Sequence, residues 1–234
     1  MDNSNKIILD LCGGSGSWSL PYKKSGYSVH VITLPDFDIK RTTFNSDYVN
    51  FYNDIGCGRL AVPLSNIYGI LAAPPCTEFS QAINGRRERN IEEGWRIVKA
   101  CLEIIWHCQI KGNLKFWALE NPQGNASGFS LQRLLGKPHY VFEQWQFGHE
   151  GIKATNIWGY FKGPVPTAKE RPEMKKAKNG ALKSWGNVSK MKHDPEMQQF
   201  VDYVFSFPDQ ASRCAAQRAI TPTGFAQAFY KANI

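Results

Sequence analysis

The sequence predicts a three-layer α/β fold on a mostly parallel sheet, and three observations carry that expectation. Short apolar runs rich in β-branched residues alternate with stretches of helical periodicity. Each run is closed by glycine or proline, the residues that punctuate strand ends. The 234 residues, 42% hydrophobic and 13% aromatic, suffice for one substantial core and exclude disorder of the whole chain.

Lys6 to Leu11 (KIILDL) is an apolar run closed by Gly13, Gly14 and Gly16. A helix-compatible stretch follows to Ser25 and stops at Gly26, so strand, glycine turn and helix are expected in that order. Tyr27 to Leu34 (YSVHVITL) reads as a second buried strand ending at Pro35, with Asp36 and Asp38 in the loop beyond. Residues 67 to 73 (IYGILAA) give another strand, stopped by Pro74. From Asn90 to Gln109 the apolar residues at 91, 95, 98, 101, 102, 105 and 108 form the stripe of an amphipathic helix. Leu114 to Leu119 is a strand ending in Glu120-Asn121-Pro122. HYVFEQWQF and TNIWGYF have little helix between them, which predicts a hairpin or antiparallel edge. A last helix is expected from Pro222 to Ala232, with proline near its first turn.

Twenty-eight Lys and Arg against twenty Asp and Glu leave a net charge of +8, so a polyanionic partner is plausible on charge. The excess is local. Between Pro166 and His193 lie eight basic and two acidic residues, a net +6 that interrupts the α/β pattern. Cys12, Cys57, Cys76, Cys101, Cys108 and Cys214 form no CxxC pair and no Cys/His ladder, so structural zinc is not expected and the thiols read as reduced. The opening MDNSNKIILDL has neither a basic n-region nor a long apolar one, and no run reaches the roughly 18 to 20 apolar residues of a membrane span. A cytoplasmic monomer is expected. Internal repeats and low-complexity tracts are absent.

In an open α/β sheet, ligands bind outside the carboxyl ends of the strands. The Gly13 to Gly16 turn, Asp36, the stretch Pro-Pro-Cys at 74 to 76 and Glu120-Asn121-Pro122 are all expected there. A glycine turn over a helix start permits close backbone approach to a ligand, though it also serves as a plain tight connection; its spacing departs from GxGxxG. A free cysteine is often a small core hydrophobe. Cys76, however, follows two rigid prolines and precedes Glu78, Ser80, Arg86, Arg87 and Arg89, a polar setting that suits an activated thiol. Glu120 at the end of an apolar strand is either a bracing residue or a carboxyl with a chemical task. The basic segment sets Trp185 and Met191 among lysines, a composition that fits phosphate neutralisation with stacking or wedging at bases, or simply a solvated loop.

Taken together and in this order, these residues resemble the cytosine-5 DNA methyltransferase family, its compact phage-type members above all. DLCGGSGSW resembles the first motif, Asp-Leu-Phe-x-Gly-x-Gly-Gly-Phe; Gly14 and Gly16 match its glycines, Ser17 replaces the third, and Trp18 takes the place of an aromatic beside the cofactor adenine. PPCTEFS resembles Pro-Cys-Gln-x-x-Ser, with Thr77 for Gln. ENP resembles Glu-Asn-Val with Pro122 for Val, and RAITPTGFAQAFYKANI is similar to the last motif, whose helix returns to the cofactor site. Two features depart from the family. Where Gln-x-Arg-x-Arg is expected, near 152 to 156, the chain reads Ile-Lys-Ala-Thr-Asn, so Lys153, Thr155 or Asn156 stands in for the arginines that help hold the base. The target-recognition region is also small, about 60 residues.

The resemblance implies a Rossmann-like sheet of the S-adenosylmethionine-dependent methyltransferase type with one antiparallel edge strand. It implies a catalytic domain at 1–162, a basic target-recognition region at 163–219 and a returning helix at 220–234. It assigns Cys76 as the nucleophile on cytosine C6 and Glu120 as the group at N3, acting on a base flipped out of the duplex. It assigns S-adenosylmethionine to Asp10, Cys12, Gly14, Gly16, Trp18, Asp36, Asp54, Pro74 and Thr221. It assigns DNA to Ser80, Arg86, Arg87, Arg89, Asn121, Lys153, Thr155, Lys175, Lys176 and Lys183, in a bacterial or phage-infected cell. The same chemistry on tRNA is the nearest alternative, and a catalytically silent nucleic-acid-binding member of the fold is another. The glycine spacing argues against a nicotinamide-dependent oxidoreductase.

Overall fold

The computed structural model describes residues 2–53, 58–79, 88–124, 130–149, 151–173 and 197–234. The expectations for Asp54, Ser80, Arg86, Arg87, Lys175, Lys176 and Lys183, and for most of the basic segment, fall outside these residues.

In chain order the elements are β1 (Ile7–Leu11), α1 (Leu20–Lys24), β2 (Ser28–Ile32), β3 (Thr43–Phe44), β4 (Tyr48–Tyr52), β5 (Arg59–Pro63), β6 (Ile67–Ala72), α2 (Ile91–Lys111), β7 (Phe116–Pro122), α3 (Gln132–Leu135), β8 (Tyr140–Glu143), β9 (Ala154–Tyr160), α4 (Gln198–Phe205), α5 (Gln210–Ala219) and α6 (Thr223–Ala232). The strongest periodic signals became the longest elements. In α2 the side chain of Asn90 accepts from Glu93 N at 3.0 Å, Glu92 and Glu93 occupy the first turn and Lys111 the last, the charge order that favours the helix dipole.

Six strands form one sheet in the order β2-β1-β6-β7-β9-β8. Strands β2, β1, β6 and β7 run parallel, while β9 runs antiparallel to both β7 and β8. This is an α/β architecture with a mostly parallel central sheet, compatible with a Rossmann-like fold. One detail corrects the expectation: the reversed strand is not at the edge. β8 lies outside β9, because the expected hairpin docks through its second strand and leaves its first at the border. The first strand is also shorter than HYVFEQWQF suggested, since Gln144–Phe147 turns into a 3-10 helix.

The period-2 alternation of the strands sends apolar side chains to both faces. Ile7, Leu9 and Leu11 of β1 join one buried cluster with Val98, Cys101, Leu102 and Ile105 of α2; Ile8 joins another with Trp18, Tyr22, Phe225 and Phe229 around α1 and α6. Two readings of connections need correction. The stretch after the glycines forms turns as far as Ser19, so α1 has only five residues. Residues 43–63 hold a three-stranded antiparallel sheet, β3-β4-β5, that the sequence pattern does not anticipate.

The carboxyl rim is set by register. Leu11 is level with Ile32 and Ala72, and Ala72 with Leu119. Strand β7 alone runs on, its Glu120, Asn121 and Pro122 pairing only with Ile157, Asn156 and Thr155 of β9. Glu120-Asn121-Pro122 therefore belongs to a strand and not to a loop, yet it still projects beyond the parallel rim.

Candidate active site

Three chain segments leave the rim side by side: the turn from Cys12 to Ser19, the Pro74–Cys76 segment, and the overshooting end of β7. A buried hydrogen bond locks the last two together. Asn121, 1% exposed, donates from Nδ2 to the carbonyl of Pro74 at 3.1 Å. The residue next to the candidate carboxyl thus holds the backbone two residues before the candidate thiol.

Cys76 is partly exposed, but its thiol lies among packed atoms, and burial is the main influence pushing it above the usual cysteine range. Lys153 and Arg218 pull in the other direction and Glu120 adds to the rise. Three charged groups from three elements therefore act on one sulfur. Lys153 Nζ lies 3.6 Å from Glu120 Oε1, with the two side chains 22% and 20% exposed, and it also donates to the carbonyl of Arg218 at 3.4 Å. Sequence reasoning named Cys76, Glu120 and Lys153; it gave no role to Arg218, whose only signal was its place as the first residue of the last motif.

Of the three stand-ins for the missing arginines, Lys153 alone reaches the carboxylate. Thr155 is 2% exposed and bonds the Lys153 carbonyl at 3.5 Å, while Asn156 is 1% exposed and donates to Gln132 Oε1 at 3.5 Å. Alternation sends these adjacent side chains to opposite faces, and both are interior because Thr155 to Trp158 of β9 are buried on both sides of the sheet. Asn121 likewise braces the loop from a buried position, which leaves no surface for the DNA contact assigned to it. Arg89 Nη1 donates to the carbonyl of Glu78 at 2.5 Å, and Glu78 Oε2 accepts from Asn90 N at 2.7 Å, so this arginine ties the loop after Cys76 to the start of α2.

The glycine turn has a built interior. Asp10 is fully buried; its Oδ2 accepts from Ser19 Oγ at 2.5 Å, and its Oδ1 has no hydrogen-bond partner among the described residues. Burial raises its pKa to about 6, against the lowering effect of Ser19. Gly13 is required above it, because a Cβ there would stand 2.3 Å from Asp10 Cγ. Cys12, Gly14 and Gly16 have φ of 55°, 53° and 69°, the left-handed region in which Gly14 and Gly16 are unstrained. Tyr203 of α4, also missed from the sequence, places its hydroxyl 2.8 Å from where a Gly14 Cβ would be. Cys12 Sγ lies 4.0 Å from Cys101 Sγ.

The remaining assignments separate. Trp18 is 3% exposed and packs edge-on against Phe229 with centroids 5.3 Å apart, which makes it a core side chain and leaves little of its ring for an adenine. Thr221 meets the turn through its backbone, its N donating to Ser17 Oγ at 2.8 Å. Asp36 is exposed in the loop after β2, and Asp38 bonds Lys40 N at 2.9 Å as the cap of a 3-10 turn.

Among the described residues no cluster of His, Cys, Asp or Glu is arranged to hold a metal, and no helix is long and apolar enough to cross a membrane. No family model matches the chain, and no curated protein is significantly similar to it.

Proposed function

We propose that the protein methylates cytosine at C5 in DNA, with S-adenosylmethionine as methyl donor. One observation carries the reading: a thiol and a carboxyl from different elements, Cys76 and Glu120, converge beyond the parallel rim through the Asn121–Pro74 bond, beside a glycine turn. Cytosine C5 is a weak nucleophile, and a thiol with a carboxyl on one ring is the pairing that changes this.

In this reading the Cys76 sulfur adds to C6 while Glu120 bonds N3, which moves electron density onto C5. S-adenosylmethionine, when bound, supplies an electrophilic methyl group. Loss of the C5 proton then expels Cys76 as thiolate and restores the aromatic ring. Burial keeps the resting thiol protonated, so formation of the thiolate is part of the barrier; Lys153 and Arg218 reduce it. Lys153 also pins the Glu120 carboxyl from one side.

The residues of the turn fit the methionine end of such a donor. Asp10 has a buried acceptor atom with no partner among the described residues, beneath a backbone cradle that only glycine allows at Gly13, and an ammonium group is the natural complement of that oxygen. Reaching a base inside a duplex requires extruding it, at a cost of a few kcal/mol. Phosphate contacts from the basic segment between Pro166 and His193 are suited to offset that cost.

The test is transfer of tritiated methyl from S-adenosylmethionine to defined duplex DNA and to tRNA, followed by bisulfite sequencing of the DNA. Label on DNA cytosine with C5 protection supports the reading. Label on tRNA alone, or on neither, contradicts it.

A further inference from the structure

Cys12 and Cys101 are 89 positions apart in the chain, yet their sulfurs lie 4.0 Å from each other. Cys101 is fully buried in α2, in the cluster that holds Val98, Leu102 and Ile105 against Leu9 and Leu11 of β1. Cys12 is the first residue past β1; it is partly exposed and packs against the same cluster. Among the described residues, Cys76, Cys108 and Cys214 have no cysteine sulfur so near. The backbone at Cys12 adds a second observation. Its φ of 55° falls in the left-handed region, where the turn otherwise uses glycine, at Gly14 and Gly16. A larger side chain strains the backbone there. The turn therefore keeps a thiol where glycine would relieve it, and that thiol faces another sulfur.

The two thiols differ in reactivity. The hydrogen bond with Cys12 and burial hold Cys101 well above the usual cysteine range, so it keeps its proton; Cys12, partly exposed, is the one an oxidant in solution meets first. With hydrogen peroxide as oxidant, the Cys12 sulfur bonds one oxygen, the O–O bond breaks, and hydroxide leaves with the Cys12 proton as water. The Cys101 sulfur then bonds the Cys12 sulfur, the S–O bond breaks, and hydroxide leaves with the Cys101 proton as a second water. Two thiols give up two electrons, and one peroxide takes them.

We propose that Cys12 and Cys101 form a reversible oxidation site, which closes to a disulfide and ties the glycine turn to α2. The sulfur separation must shorten from 4.0 Å to about 2.0 Å. Rotation about the two Cα–Cβ bonds supplies part of that change. The rest falls on the turn, because Cys101 is fixed within a 21-residue helix packed on the sheet. Gly13, next to Cys12, has no slack: a Cβ there would stand 2.3 Å from Asp10 Cγ, so a shift at Cys12 is passed on to the cradle over Asp10. The site stands independently of the proposed methyl transfer.

The experiment treats the reduced full chain with hydrogen peroxide, blocks remaining thiols with N-ethylmaleimide and reads tryptic peptides by mass spectrometry. The expected product joins residues 7–23 to residues 100–111, is lighter than their sum by two hydrogen atoms, and is lost on treatment with dithiothreitol. Residues 100–111 also contain Cys108, so fragment ions between 101 and 108 assign the bond. In Cys101→Ala and Cys101→Ser the joined peptide is expected to vanish, and dimedone, which labels sulfenic acid, should mark Cys12 about tenfold more than in wild type. Either variant suffices if the other does not fold. No joined peptide in wild type, a bond that maps to Cys108, or equal dimedone labelling of Cys12 with and without Cys101 would overturn the proposal. A joined peptide in a protein that transfers no methyl group leaves the pair assigned and sinks the proposed activity; methyl transfer without the joined peptide does the reverse.

Discussion

At the scale of single residues, the site depends on polar groups held in low-dielectric surroundings. Glu120 is expected to contribute at the base ring, so Glu120→Gln should lower kcat by about 10²- to 10⁴-fold while leaving DNA binding within a few-fold, measured by methyl transfer and by fluorescence anisotropy. Asp10 gives a prediction about stability. Its folded pKa of about 6 lies above the ordinary aspartate value of 3.8, so the folded state binds the proton more tightly than the unfolded chain. Its contribution is therefore most favourable below pH 4 and is lost as pH rises to about 6, by roughly 3 kcal/mol in total. Urea unfolding between pH 4 and 7.5 should show this decline in wild type relative to Asp10→Asn; parallel curves for the two would refute it.

At the scale of elements, the helices and strands that the sequence made legible are those with a long period or a clean stop. The α2 stripe begins at a capping asparagine, and its predicted positions 98, 101, 102, 105 and 108 are buried. β1 and β6 end two residues before their expected glycine or proline boundaries and β2 three residues before its proline. The β3-β4-β5 sheet was not legible because YVNFY and RLAVP are short and carry polar or proline positions, so their pairing with each other, not their own pattern, makes them strands. Cys76, Glu120 and Lys153 were readable at the site, since motif order marks them. Arg218 and Tyr203 were not, because their roles arise only when α4 and α5 fold back on the rim. Core elements also carry a prediction: Phe229 of α6 is fully buried against Trp18, Phe116 and Phe161, so Phe229→Ala should destabilise by about 3–5 kcal/mol in denaturant unfolding.

At the scale of the whole molecule, a net charge of +8, of which +6 lies between Pro166 and His193, predicts salt-sensitive association with a polyanion. Replacing Lys175, Lys176, Lys178 and Lys183 with glutamine should reduce the slope of log affinity for duplex DNA against log salt by roughly 0.9 for each phosphate that is no longer neutralised, as read by anisotropy titrations. An unchanged slope would move the DNA-binding surface to another face. The sheet, meanwhile, brings four parallel strands to one rim, with the glycine turn, the thiol and the carboxyl all projecting beyond it. That convergence motivates the proposed covalent attack on a cytosine, which is measured most directly by trapping on duplex DNA containing 5-fluorocytosine, where the fluorine cannot leave as the proton does. The expected result is an S-adenosylmethionine-dependent covalent adduct, seen by intact mass, that maps to Cys76 and disappears in Cys76→Ser. An active preparation that forms no adduct, or an adduct that persists without Cys76, would contradict it.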